Sequence, residues 1–181
     1  MEPSLCRLFI AIPAPAVCST LLQELRENNP DMKGIRWVPD QNLHITVFFI
    51  GVVDVIHIPA IVAVMKSTLP LSNEFELIYK GVFHEGAKPN KPSMVWIRYE
   101  RHEQFTGLSN AIGKELSAFI TISSRFPDPV PHITLARIHQ RNYLNIPTFN
   151  LDNVKFSGFE LWQSISVEGG VHYKSIAQIY R

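Results

Sequence analysis

Cysteine is scarce in this chain: among 181 residues there are two, Cys6 and Cys18. They provide neither a disulfide framework nor a zinc-ligand spacing, and a reducing, cytoplasmic setting is the reading that follows. Charge of one sign is lacking too, with 17 Lys and Arg against 16 Asp and Glu and a formal net charge of +1. That balance argues against a protein that coats duplex nucleic acid through its phosphates, but it leaves room for a local basic groove. There is no long apolar run. The stretch Leu8 to Ala16 is broken by Pro13 and Pro15, is too short to span a bilayer and lacks the layout of a signal peptide. No Gly/Ser-rich, polar or single-sign tract suggests disorder.

What is present suits a buried core. The hydrophobic share of 46% is enough for one domain over residues 1–181, or two small lobes sharing one fold. Residues 7–12 read as a buried strand stopped by Pro13, followed by a helix from about Pro15 with Val17, Leu21, Leu22 and Leu25 on one side. Strands are expected at 36–38 and 43–50, and a helix at 59–69 with Pro59 in its first turn. Further strands are expected at 74–83 and 94–99. The clearest helix carries Phe105, Leu108, Ile112, Leu116 and Phe119 at spacings of three and four. Strands at 132–138, 153–159, 160–168 and 171–179 follow, with Gly169-Gly170 as a hairpin signal between the last two. Alternation of strands and helices with hairpin connections predicts an α+β fold with largely antiparallel sheets.

One tripeptide occurs twice, as His44-Ile45-Thr46 and His132-Ile133-Thr134. The copies lie 88 residues apart, close to half the chain. On a strand, side chains alternate faces, so each copy can bury its isoleucine and present an imidazole and a hydroxyl on the other face. If the halves are related by a pseudo-twofold, the two offerings meet across one groove. Histidine titrates near pH 6.5, so one imidazole can carry a proton while its partner accepts one. Each threonine hydroxyl can donate to a phosphate oxygen where charge accumulates in the transition state. That set suits metal-independent phosphodiester chemistry. No two histidines have His-x-x-x-His spacing and neither copy contains Asp or Glu, so no metal or other cofactor is expected. His57, His84, His102, His139 and His172 lack such a context and are read as structural.

At these residues the sequence resembles the two-histidine phosphoesterase superfamily, and within it the RNA 2',3'-cyclic phosphodiesterases, also called 2'-5' RNA ligases. Arg36-Trp37-Val38-Pro39 with Asn42-Leu43-His44-Ile45-Thr46 is similar to the family's first motif, and Pro131-His132-Ile133-Thr134-Leu135-Ala136-Arg137 to its second. Residues 7–12 and Gly169-Gly170-Val171-His172-Tyr173 resemble its first strand and closing hairpin. The resemblance implies a bilobal pseudo-twofold α+β fold, with two mainly antiparallel sheets lining a central groove and helices outside. It implies His44 as proton donor to the leaving group and His132 as proton acceptor, roles that the spacing alone cannot separate. Thr46, Thr134 and Arg137 carry over as substrate contacts. The implied partner is an RNA end carrying a 2',3'-cyclic phosphate, hydrolysed to a 2'-phosphomonoester by a monomer that binds no membrane, with reversible 2'-5' ligation as a second activity.

Strict alternation puts Arg137 on the face opposite His132, so it reaches the groove only if the strand ends, twists or bulges there. The same alternation puts Phe48 on the His44 face, although a core aromatic is the preferred reading. Phe83-His84 and Ile97-Arg98 depart from the family pattern and affect the nucleotide-binding walls more than the chemistry. The alternatives are an esterase for another cyclic or 2'-5' phosphodiester, such as ADP-ribose cyclic phosphate or an oligoadenylate, and a non-enzymatic RNA-end binding module.

Overall fold

A computed structural model describes residues 4–69, 74–86, 93–122, 128–139 and 144–181. In chain order the elements are β1 (Leu5–Pro13), α1 (Val17–Glu27), β2 (Ile35–Trp37), β3 (His44–Asp54), α2 (Ile58–Thr68), β4 (Glu76–Leu77), β5 (Tyr79–Glu85), β6 (Ser93–Tyr99), α3 (Glu103–Leu116), β7 (His132–Ile138), β8 (Val154–Lys155), β9 (Gly158–Val167) and β10 (Gly170–Tyr180). The α+β class and the antiparallel pairing agree with the sequence reading. No helix among the described residues is long and apolar enough to cross a membrane.

The strands order as β10-β9-β1-β3-β7-β6-β5, with β2 paired to β7 as well. Every pairing is antiparallel. β3 and β7 meet at a single pair, Ile45 with Ile133. The sheet is therefore two four-stranded parts, β10-β9-β1-β3 and β2-β7-β6-β5, hydrogen-bonded to each other at the two isoleucines of the repeated tripeptide. One face carries the main core, where Leu8, Ile10, Ile45, Ile133 and Leu135 pack with Leu22 and Leu25 of α1, Ile61 and Met65 of α2, and Phe105 and Ile112 of α3. Burying such side chains supplies most of the driving force for the fold, at roughly 1.5–3 kcal/mol each. α3 comes close to β3 because residue 113 is glycine: a Cβ there would sit 2.6 Å from the Phe48 ring. Phe9, Ala11 and Trp162 form a separate cluster with Tyr173, on the alternate positions of β1 and so on the other face.

Several boundaries differ from expectation. The strand expected at 74–83 is broken at Ile78, because β4 pairs with β8 whereas β5 pairs with β6. The strand expected at 153–159 shrinks to β8, which among the described strands pairs with β4 alone. α3 ends at Leu116, leaving Phe119 beyond it and exposed. Val17 is exposed as well, since only Cys18, Leu21, Leu22 and Leu25 of α1 face the core. The hairpin turn is Glu168-Gly169, with Gly169 in the left-handed region at φ 79°, and Gly170 already starts the return strand. Of the loop Glu85 to Asn90 expected between the strands at 74–83 and 94–99, residues 87–90 lie outside the described residues.

Candidate active site

Both copies of the tripeptide begin a strand, and the two strands are built alike. Residues 44–50 and 132–138 share one burial sequence: partly buried, buried, partly buried, buried, buried, exposed, buried. The cause is a β-bulge one residue after each threonine. On β3 the pairing with β1 jumps from Thr46–Ala11 to Phe48–Ile10, leaving Val47 as the extra residue. On β7 the pairing with β6 jumps from Thr134–Trp96 to Ala136–Val95, leaving Leu135 extra. Each bulged carbonyl is satisfied from elsewhere: Ser109 Oγ donates to Val47 O at 2.7 Å, and the Val38 N–H donates to Leu135 O at 2.9 Å. A bulge reverses the alternation beyond it. Arg137 is therefore carried onto the face of His132 and Thr134, whereas Phe48 turns into the core and Phe49 takes the exposed position on the His44 face.

The antiparallel register about Ile45 and Ile133, carried one residue either way, sets His44 across from Thr134 and Thr46 across from His132. Both imidazoles are fixed by the same device. His44 Nδ1–H donates to the Asn42 carbonyl at 2.7 Å, and His132 Nδ1–H donates to the Val130 carbonyl at 2.8 Å. A carbonyl can only accept, so in the neutral ring Nδ1 holds the proton and Nε2 keeps its lone pair. His44 Nε2 then accepts from the Thr46 hydroxyl at 3.0 Å.

The walls differ. His44 sits among Phe9, Trp162 and Tyr173, with ring centroids 5.0, 5.2 and 5.2 Å away. His132 stacks on Trp96 at 3.7 Å and 23°, and its cross-strand neighbour is Arg98, whose Nη1 donates to Glu85 Oε1 at 2.6 Å. Burial pushes His44 down to about 4; the Asn42 carbonyl works against that, and the nearby His132 works with it. Burial lowers His132 also, opposed by the Val130 carbonyl and Glu85 and assisted by Arg98. Both histidines are lowered from the ordinary imidazole value expected from sequence, because burial penalises the charged ring, among three aromatic side chains at His44 and against Trp96 at His132.

These paired strands lie within a recognised family span: the sequence profile of the 2'-5' RNA ligase superfamily matches residues 13–142. The chain belongs to that superfamily. Among similar proteins are the RNA 2',3'-cyclic phosphodiesterases of Archaeoglobus fulgidus, 25% identical over 94% of this chain and 97% of the relative, and of Methanocaldococcus jannaschii, 29% identical over 95% and 99%. Among solved structures, TT0787 of Thermus thermophilus superposes with a TM-score of 0.79 at 22% identity, covering 96% of this chain and 97% of that one. E. coli LigT in apo form superposes with a TM-score of 0.75 at 21% identity, covering 97% of each. These structures share the fold.

Within this superfamily member, two supports of the His44 side escaped the sequence reading. Asn42 is buried; its Nδ2 donates to Val171 O at 2.7 Å and its Oδ1 accepts from the Tyr173 N–H at 3.1 Å. It ties the last hairpin to the segment whose backbone carbonyl holds His44. Glu160 is buried on β9 and accepts from Trp162 Nε1 at 2.7 Å, from Gln178 Nε2 at 3.2 Å and from the Tyr180 hydroxyl. Burial alone would raise its carboxyl, but donors from Tyr180, Ser175, Trp162 and Gln178 outweigh it and hold the group below its usual value. The carboxylate thereby locks the indole that packs on His44. A Glu, Trp, Gln and Tyr spread over two adjacent strands left a faint signal, legible only once the β9–β10 register was known.

Proposed function

We propose that this chain is an RNA 2',3'-cyclic phosphodiesterase that opens cyclic phosphate ends to 2'-phosphomonoesters by two-histidine acid–base catalysis. The observation that carries the reading is the matched pair of imidazoles on joined strands, each with Nδ1 bound to a backbone carbonyl so that Nε2 keeps its lone pair for chemistry, His44 Nε2 having the Thr46 hydroxyl beside it. The names borne by the archaeal relatives support it. The two lobes, related by a pseudo-twofold through the Ile45–Ile133 pair, form one domain that works as a monomer in the cytoplasm.

Water attacks phosphorus, and His132 Nε2 takes its proton as the new P–O bond forms. The P–O3' bond breaks, and His44 Nε2 gives its proton to the departing ribose oxygen. Thr46 and Thr134 donate to the non-bridging oxygens. Burial disfavours the charged imidazole that this step needs at His44, but a phosphodiester monoanion brought against Nε2 favours it. The acid is thus armed by its own substrate. With a 5'-hydroxyl in place of water, the same base and acid in the same roles form a 2'-5' bond, and the pair exchanges roles when the 3'-hydroxyl attacks that bond and expels the 5'-oxygen.

The test is incubation of an oligoribonucleotide ending in 2',3'-cyclic phosphate with the purified protein, in EDTA, with phosphorus NMR of the product. A 2'-phosphomonoester is expected. A 3'-phosphate, or turnover that needs an added divalent ion, contradicts the reading.

A further inference from the structure

The two halves of the site are alike in backbone but not in charge. β1 lies against β3 as β6 lies against β7, yet the ladders set Pro13 opposite His44 and Ala11 opposite Thr46, but Arg98 opposite His132 and Trp96 opposite Thr134. Directly opposed residues of an antiparallel pair share a face, so Arg98 starts beside the His132 ring. Its guanidinium does not stay there. It lies over the Phe83 ring, 5.6 Å from the centroid, and Nη1 donates to Glu85 Oε1 at 2.6 Å. The residue opposite Arg98 on β5 is Gly81, at φ +145°, and a Cβ there would meet Phe83 Cε2 at 2.9 Å, so bare backbone makes room for the ring on which the cation rests. Glu85 stands four residues further along β5 than Gly81, which makes the ion pair a long diagonal and not a pairing of opposed neighbours. An exposed pair that merely joined two strands would contribute little. These two side chains are each only 27% exposed, and Arg98 Nε is buried with no acceptor among the described residues. Drawing a cation partly out of water with one N–H unpaired costs stability.

What the pair faces is His132. The charged and titratable groups on the strands around that ring are Glu85 on β5, Arg98 on β6, Arg137 on β7, Arg36 on β2 and His44 on β3. Among them Glu85 is the one that favours a charged imidazole. Burial lowers His132, the Val130 carbonyl and Glu85 work against burial, and Arg98 works with it. At His44 the influences are burial, the Asn42 carbonyl and His132, with no carboxylate among them. We propose that Glu85 and Arg98 are positioning residues that single out His132 as the base: the carboxylate supports the imidazolium formed when Nε2 takes the proton from water, and by drawing the guanidinium over Phe83 it keeps a competing cation off the ring. This rests on the two-histidine reading above. The pseudo-twofold by itself leaves the two imidazoles equivalent, and charge placed on one side of it makes them unlike. A carboxylate behind an imidazole stabilises the imidazolium in the same way in the serine-hydrolase triad.

The experiment is a side-chain NMR titration of the free protein, which reads the two imidazoles separately in the wild type, Glu85→Gln, Arg98→Ala and Arg98→Lys. His132→Asn assigns the resonances, and thermal unfolding checks each fold. Glu85→Gln, which keeps an acceptor for Arg98 but removes the charge, should lower the His132 midpoint, and Arg98→Ala should raise it. Arg98→Lys should leave it near the wild type, and His44 should move less than His132 in each variant. Loss of packing alone would expose the ring and raise His132 in both variants, so the opposite signs are diagnostic. A raised or unmoved His132 in Glu85→Gln overturns the proposal, and that variant decides it if Arg98→Ala does not fold. The link to the reaction is read from single-turnover hydrolysis of a nucleoside 2',3'-cyclic monophosphate at pH ~7.5, where the weaker base should make Glu85→Gln about 3- to 10-fold slower. An unchanged rate beside a lowered midpoint overturns it too. If the wild type hydrolyses no cyclic phosphate, the proposed reaction has failed, and the titration alone decides whether Glu85 and Arg98 set His132.

Discussion

Acid should unfold this protein partly through one side chain. His44 is held at about 4 in the folded chain, against an ordinary value near 6.5, because burial disfavours the imidazolium. The unfolded chain therefore takes up that proton first as pH falls, and between 6.5 and 4 it binds more protons than the native state does. Stability must rise with pH across that window. The contribution is fully present above pH 6.5 and is lost as pH falls towards 4. A gap of about 2.5 units at ~1.36 kcal/mol each amounts to roughly 3 kcal/mol, a sizeable part of a domain stability of ~5–15 kcal/mol. His132 is shifted in the same direction and adds to the effect. Urea unfolding at pH steps from 7.5 to 4 would be run on the wild type and on His44→Asn. That substitution leaves an amide able to donate to the Asn42 carbonyl but does not titrate. Carboxylates common to both proteins cancel in the difference. The wild type should lose about 3 kcal/mol relative to the variant between pH 7 and pH 4, most steeply inside the window. A difference independent of pH would refute the burial argument.

Two further outcomes follow from the same geometry. Because both imidazoles are lowered in the free protein, both limbs of the kcat/KM profile should lie on the acid side of pH 6.5, and the kcat profile should shift upward as the bound phosphate favours the charged form; kcat/KM limbs at or above pH 7 would contradict this. Asn42→Ala strips partners from the Val171 carbonyl and the Tyr173 N–H and should lower urea stability by about 2–4 kcal/mol. Its kcat should fall little, because the bond to His44 is made by the residue 42 backbone; unchanged stability would show that the hairpin tie is idle.

The chemistry-bearing residues were legible because they repeat, and β7 matches its expected limits residue for residue because His132 to Ile138 has clean flanks. α3 was legible from its three-and-four spacing. The bulges were not. Val47-Phe48 and Leu135-Ala136 are neighbouring apolar pairs, and a two-residue period assigns one of each to the wrong face. That is why Arg137 looked misplaced and why strict alternation set Phe48, rather than Phe49, on the His44 face, although the core reading preferred for Phe48 is the one that holds. The broken strand at Ile78 and the Glu160 cluster depend on partners 70 to 80 residues away in one case and on the β9–β10 register in the other. Local pattern carries neither.

The central claim is that two histidines on one pair of strands act in one displacement. It is tested most directly by single-turnover hydrolysis of a 2',3'-cyclic phosphate end by His44→Ala, His132→Ala and the double variant, each shown to be folded by circular dichroism. Each single variant should be slower by about 10²–10⁴-fold, and the double variant little slower than the worse single one. A folded single variant that keeps near wild-type turnover would contradict the account.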